Sequence, residues 1–110
     1  MSFVLQVVLQ KVILKEECIL RFEWDEEKAA INFRKHGIRF ETAMRVFQDE
    51  RRIERYDYNH SLTEDRYITI GKVDKILVVV FVERGQNVRI ISARLATRKE
   101  EEKYYGNSVL

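Results

Sequence analysis

Residues 76–82 read ILVVVFV, an unbroken apolar run bounded by the charged pair Asp74-Lys75 on one side and Glu83-Arg84 on the other. A strand with one face in water alternates apolar and polar residues. A strand with no polar position over such a length has to be covered on both sides, so this segment belongs at the centre of a sheet. Its neighbours also read as strands: 66–73 and 88–95 carry β-branched and aromatic residues, and Asp74-Lys75 and Gly85-Gln86-Asn87 supply the turns between them. The three segments form an antiparallel meander.

Ahead of the meander, Ile19, Leu20, Phe22 and Trp24 suit a strand. Asp25 is a good N-cap, Glu26 and Glu27 complement the positive end of a helix dipole, and Lys35-His36-Gly37 make a cationic last turn and a left-handed stop. Together they predict a helix over 26–36. Phe40, Ala43, Met44 and Phe47 stand at helical spacing and form the core face of a second short helix ending near Asp49. A strand around Ile53 (52–58) and a polar loop with His60 (59–65) follow. Thr97 and Glu100 have the spacing of a capping box, which predicts a last helix over 98–105. The fold class is α+β, with N-terminal helices on one face of an antiparallel meander and a short C-terminal helix.

With 110 residues and 45% hydrophobic content, the chain has material for a single domain, assigned here to 18–110, with 1–17 as an N-terminal extension. The apolar stretch 3–14 is interrupted by Gln6, Gln10 and Lys11, falls short of the roughly 20 apolar residues that span a bilayer, and has neither a cationic n-region nor a cleavage site. An extra strand, an amphipathic helix and an upstream extension all remain open for it; a membrane partner is not expected. The single Cys18 cannot form an internal disulfide. It reads as a small buried hydrophobe of a cytoplasmic protein.

Net charge is only +2, but it is unevenly placed. Between 72 and 99, Lys72, Lys75, Arg84, Arg89, Arg94, Arg98 and Lys99 face only Asp74 and Glu83. Such a local field attracts a polyanion, although a solvated strand edge guarded by cations has the same composition. A two-residue turn at Asp74-Lys75 pairs Val73 with Ile76 and places Arg66 opposite Glu83; a three-residue second turn then places Glu83 opposite Arg89. In that register Arg66, Glu83 and Arg89 share one face, while Tyr67, Thr69, Arg84, Ser92 and Arg94 share the other. The helices cover only one face well, so the second is expected to meet a ligand or partner.

Familiar catalytic motifs are missing: there is no G-x-G-x-x-G, P-loop, H-E-x-x-H or serine elbow, and His36 and His60 have no metal-ligand spacing, so neither metal nor cofactor is expected. His36 suits a helix end. His60 is either a solvated loop residue or an accessible proton-transfer group. Arg66 and Glu83 can be a plain cross-strand ion pair, whereas Arg84 and Arg94 offer planar forks suited to phosphate.

The blocks FEWDEEKAAINFRKHGI (22–38), FETAMRVF (40–47), EDRYITIG (64–71), LVVVFVERG (77–85) and RIISARLAT (89–97), with Tyr104 and Tyr105 beyond them, resemble the BrnT toxins, within the wider RelE/ParE-like class of type II toxin–antitoxin systems. Members usually begin close to the FEWD block, so 1–17 departs from the pattern. The resemblance implies a RelE-like fold and a metal-independent ribonuclease that cuts messenger RNA. It also implies neutralisation by a BrnA-like ribbon-helix-helix antitoxin in a 2:2 complex that reaches operator DNA only through the antitoxin. Attack of a ribose 2′-hydroxyl on the adjacent phosphate needs cations and proton transfer. For these roles Arg84 and Arg94 are assigned to the phosphate, Arg66 to orientation, and Glu83 or His60 to the proton. Lys72, Arg89, Arg98 and Tyr104 are expected to contact RNA, with Tyr105 beside them. A non-catalytic binding module and a ParE-like action on gyrase are the alternatives; growth arrest with loss of messenger RNA separates the first reading from both.

Overall fold

A computed structural model describes the backbone of residues 7–15 and 18–107, and the side chains from Leu20 to Gly106. The expected burial of Cys18 lies outside the described side chains, and 1–6, 16–17 and 108–110 lie outside the described residues altogether. The chain runs β1 (Val7–Lys15), β2 (Cys18–Asp25), α1 (Glu26–His36), α2 (Phe40–Met44), a 3-10 turn (Arg45–Gln48), β3 (Ile53–Tyr56), β4 (Arg66–Val73), β5 (Lys75–Arg84), β6 (Asn87–Leu95) and α3 (Arg98–Asn107). Of the conformations open to 3–14, the described part is a strand.

The sheet has six strands in the order β1-β2-β6-β5-β4-β3. The meander is not the whole sheet: β2 joins it by pairing parallel to β6, and β1 pairs antiparallel to β2. β5 lies between β4 and β6. Its alternate side chains feed two apolar layers, as the apolar run demands. Phe22, Trp24, Leu77, Val79, Phe81 and Ile90 pack under Phe40, Ala43, Val46 and Phe47 of the helical segment. Ile70, Ile76 and Val78 pack under Tyr104 of α3. The second face is therefore half covered, at the end where α3 docks, and open at the end where β5 turns into β6.

Local signals set the helix ends. The Asp25 carboxylate accepts the Glu27 and Lys28 amides at 2.8 and 3.3 Å, and Gly37 closes α1. At α3 the capping box is reciprocal: Thr97 N–H donates to Glu100 at 2.8 Å, and Glu100 N–H donates to Thr97 Oγ1 at 3.3 Å. Asn32 is the one buried residue of α1, and Ala29 packs beside it on the core. The Asn32 side chain accepts from Ala93 N–H at 3.1 Å and donates to Ala93 C=O at 2.8 Å, satisfying the part of β6 that β2 has left unpaired. Gly71 lets the 3-10 turn approach β4, since a Cβ there would stand 2.6 Å from Val46 Cγ1.

The register differs from the expected one, with consequences for every side chain on the meander. One residue, Asp74, turns β4 into β5 at φ 60°, and Val73 pairs with Lys75. That moves the pairing by one position, so Arg66 faces Val82 and not Glu83. The second turn uses two residues, led by Gly85 at φ 61°, and pairs Arg84 with Asn87. Beyond it the pairing shifts between Phe81↔Ile90 and Val80↔Ser92, a bulge that leaves Ile91 as the extra residue of β6.

Candidate active site

Residues directly opposite each other in neighbouring strands share a face, so the observed register sorts the charged side chains anew. Glu23, Arg89, Val82 and Arg66 form one row across β2, β6, β5 and β4. Arg84 and Asn87 stand in the adjacent row. Strands lie about 4.8 Å apart, so Arg66 and Arg89 flank β5 at about 10 Å, with Arg84 about 7 Å along β5 from Val82 between them. This is the face opposite the helical layer. Val82, between Arg66 and Arg89 on the open half of it, is fully buried.

Two glutamates bind this arginine group. Arg84 donates from Nε and Nη2 to the two oxygens of Glu64 at 2.9 and 3.0 Å, a bidentate fork. Arg89 Nε donates to Glu23 Oε2 at 2.7 Å, and Asn87 Nδ2 donates to Glu23 Oε1 at 2.9 Å. The hydrogen bond from Arg84 holds the Glu64 carboxyl below its ordinary range, with the fields of Arg84, Arg66 and Arg89 adding to it. Burial of Glu23 favours its neutral form, yet the bonds from Asn87 and Arg89 and the fields of Arg89 and Arg84 outweigh that, and its carboxyl is lowered as well. Both are carboxylates at neutral pH. Arg66 makes no ion pair among the described residues, which leaves a half-buried guanidinium beside two engaged ones.

The loop 57–65 stands at the Arg66 end. Asp57 N–H donates to Arg66 C=O at 2.8 Å, and Ser61 Oγ donates to Asp57 C=O at 2.6 Å while accepting Arg66 N–H at 2.9 Å. His60 rises from it with Nδ1 3.0 Å from Asp57 Oδ2. Glu64, further along the same loop, is the residue on Arg84. The loop is thus tied to the site at both ends.

Other expected site residues are placed elsewhere. Glu83 pairs with Val88 on the helical face, so it neither opposes Arg66 nor joins the arginine group. Arg94 shares the face of Arg84, because the bulge at Ile91 restores the alternation, but it pairs with Val78, six residues from Arg84 and about 20 Å along β5. The two cannot hold one phosphate. Arg94 instead forks onto Glu100 at 2.8 and 2.9 Å and so fastens α3. Tyr104 is not a stacking surface: it is 6% exposed, under α3, and its hydroxyl donates to Asp49 Oδ2 at 2.6 Å. Tyr105 is half exposed with Lys72 Nζ 5.8 Å above its ring, and Arg98 is exposed at the start of α3. Lys72, Arg94 and Arg98 therefore belong to the α3 end of the face. Among the described residues no three His, Cys, Asp or Glu side chains cluster to hold a metal, and no helix is long and apolar enough to cross a membrane.

Sequence reasoning missed Glu23, Glu64, Asp57, Asn87 and Asn32. The one available signal was Glu64 beside Arg66 in the EDRY block; the others meet partners far along the chain.

The family model for BrnT, the ribonuclease toxin of a type II toxin–antitoxin system, matches residues 24–100. Among solved structures, the crystal structure of the ribonuclease toxin BrnT from Brucella abortus is similar, with a TM-score of 0.52 and 28% identity over 68% of this chain and 94% of that one. Among curated proteins no sequence is significantly similar. The matched span runs from Trp24, through the arginine face and its loop, to Glu100, and so the chain belongs to the BrnT family of ribonuclease toxins of type II toxin–antitoxin systems.

Proposed function

We propose that this toxin cleaves messenger RNA without a metal, by attack of a ribose 2′-hydroxyl on the adjacent phosphate, at the open half of the sheet. Arg66, Arg84 and Arg89 hold the phosphoryl oxygens and stabilise the charge that develops on them. The observation that carries this reading is the register, which gathers Arg66, Arg84 and Arg89 on one face around Val82, with the Glu64 carboxylate seated in the fork of Arg84. Glu64 occupies the fork of Arg84 as a carboxylate, the shape a phosphate also presents. His60 is the proton-transfer group; Glu83, on the opposite face, is not. RNA runs from this group over half-buried Ile68, Val80 and Ser92 towards Arg94, Lys72 and Arg98, in the RelE-like manner of helices on one face and RNA on the other.

Membership of a type II system implies an antitoxin partner. A BrnA-like ribbon-helix-helix antitoxin, joined 2:2 with the toxin in the cytoplasm and carrying the complex to operator DNA, completes the reading. The arginine face, on which Arg66 makes no ion pair among the described residues, suits an acidic segment of such a partner.

The test is cleavage of single-stranded RNA by purified toxin in excess chelator, with the fragment ends identified. The expected products carry 2′,3′-cyclic phosphate and 5′-hydroxyl ends. Fragments with 3′-hydroxyl and 5′-phosphate ends, or activity that disappears with chelator, would overturn the mechanism.

A further inference from the structure

The Asp57 carboxylate is a buried charge in a polar loop that could have hydrated it. Its residue is 5% exposed, and burying a carboxylate is costly unless a partner compensates it. Among the described residues its side-chain partner is His60, whose Nδ1 lies 3.2 and 3.0 Å from Oδ1 and Oδ2. The burial of the pair is lopsided, since the Asp57 side chain is 7% exposed and that of His60 is 68% exposed. An ion pair serving only to staple the loop gains little from an exposed ring. A buried acceptor behind an exposed imidazole does something else: it decides which nitrogen carries the proton.

We propose that Asp57 is a positioning residue for His60. It fixes the neutral ring as the Nδ1–H tautomer and turns the Nε2 lone pair outward as the base of RNA cleavage; this rests on the nucleolytic reading above. A carboxylate only accepts, so the neutral ring donates from Nδ1, and Nε2 is left free to take a proton. Asp57 is itself held firmly. Its N–H extends the β3–β4 ladder to Arg66 C=O, and its C=O accepts from Ser61 Oγ at 2.6 Å and His60 N–H at 3.4 Å. The other charged groups of the loop are engaged elsewhere: Asp65 accepts the Tyr56 hydroxyl at 2.8 Å, and Glu64 is on Arg84. The arrangement has the logic of a base aligned by a buried acid.

In the reaction the 2′-hydroxyl proton passes to His60 Nε2 as the O2′–P bond forms. The P–O5′ bond breaks, and the leaving 5′ oxygen takes a proton from water. The imidazolium, stabilised by Asp57, then returns its proton to solvent. Asp57 never touches the RNA.

The chain has two histidines, so nitrogen NMR of 15N-histidine-labelled toxin resolves His60 with His36 as an internal reference for the fold. The folded parent is expected to show neutral His60 as the Nδ1–H tautomer; an Nε2–H tautomer there overturns the proposal with no variant needed. Asp57→Asn keeps the shape but offers an NH2 donor, and is expected to shift the tautomer towards Nε2–H and to lower kcat about tenfold or more with KM unchanged, while His60→Ala loses about 100-fold or more. An Asp57→Asn protein with the tautomer and kcat of the parent also overturns it, and leaves RNA cleavage standing if His60→Ala is inactive. If the parent cuts no RNA, the nucleolytic reading fails by itself, and the tautomer still decides what Asp57 does to His60.

Discussion

Replacing Tyr104 by Phe removes one oxygen and leaves the ring in place, which separates a role in the fold from a role in RNA binding. The hydroxyl donates to Asp49 Oδ2 at 2.6 Å beneath α3, and Asp49 also accepts the Arg51 and Lys72 amides at 2.9 and 2.8 Å. A hydrogen bond to a charged acceptor contributes about 1.5–3 kcal/mol; because Asp49 keeps two donors, the loss should fall near the lower end, about 1.5–2 kcal/mol. For a chain of this size that lowers Tm by about 6–12 °C. The pH dependence has a definite sign. Burial, followed by the bond to Asp49, pushes the Tyr104 hydroxyl up to about 12. A group whose folded pKa is raised adds stability that is complete below its ordinary range, near 10, and is lost as pH climbs towards 12. The parent should therefore lose stability over that alkaline window, and Tyr104→Phe should lose less. Urea unfolding followed by the single, buried Trp24 measures both, beside RNA cleavage at neutral pH, which should not change. A Phe variant as stable as the parent but weak on RNA would refute the structural role and return Tyr104 to the nucleic-acid surface.

Glu64→Gln removes the anion that occupies Arg84. Since such an exposed pair contributes about 0.2–1 kcal/mol, RNA affinity in a filter-binding assay at fixed salt should rise by up to about fivefold; weaker binding would mean that Glu64 organises Arg84 rather than competing for it. The bond from Arg94, with help from Thr97, lowers the Glu100 carboxyl to about 2. A lowered folded pKa adds stability that is present above the ordinary carboxylate range and lost as pH falls from about 4.5 towards 2. Glu100→Gln should be less stable than the parent at pH 7 and close to it at pH 2.5, as read by circular dichroism in urea. Asn32→Ala strands the N–H and C=O of Ala93 on β6 and removes the donor to Ile38 C=O, and should cost about 2–4 kcal/mol in the same unfolding assay, from one donor and two acceptors that lose their partner.

Features coded by neighbours in the chain were legible in the sequence. Asp25, Gly37, Thr97 and Glu100 act within one helical turn: α1 begins and ends, and α3 begins, where those residues place them, while α3 runs past the expected stop at Gly106 to Asn107. The unbroken apolar run at 76–82 located the central strand for a similar reason, since burial on both faces leaves no polar position to mistake. Register was less legible. Asp74-Lys75 reads as a two-residue turn, yet Asp74 alone reverses the chain, and a slip of one residue moves Glu83 to the helical face and Arg84 to the face of Arg66. Nothing in the residues around Ile91 announces a bulge, although without it Arg89 and Arg94 would stand on opposite faces. The parallel pairing of β2 with β6 joins residues more than sixty positions apart, so Glu23 could not be set beside Arg89 and Asn87 from one chain read in order. The arginines stand out in the sequence; which of them share a face, and which carboxylates stand among them, depends on the register.

Cleavage of one defined single-stranded RNA by the parent and by Arg66→Ala, Arg84→Ala and Arg94→Ala proteins, each confirmed folded by its Trp24 emission, bears most directly on where the chemistry happens. Loss of about 100-fold or more in kcat/KM is expected for Arg66→Ala and for Arg84→Ala, the scale on which preorganised charge acts, against a loss of about tenfold or less for Arg94→Ala. Full activity in the first two proteins, or abolition by Arg94→Ala alone, would contradict the account and move the reaction to the α3 end of the sheet.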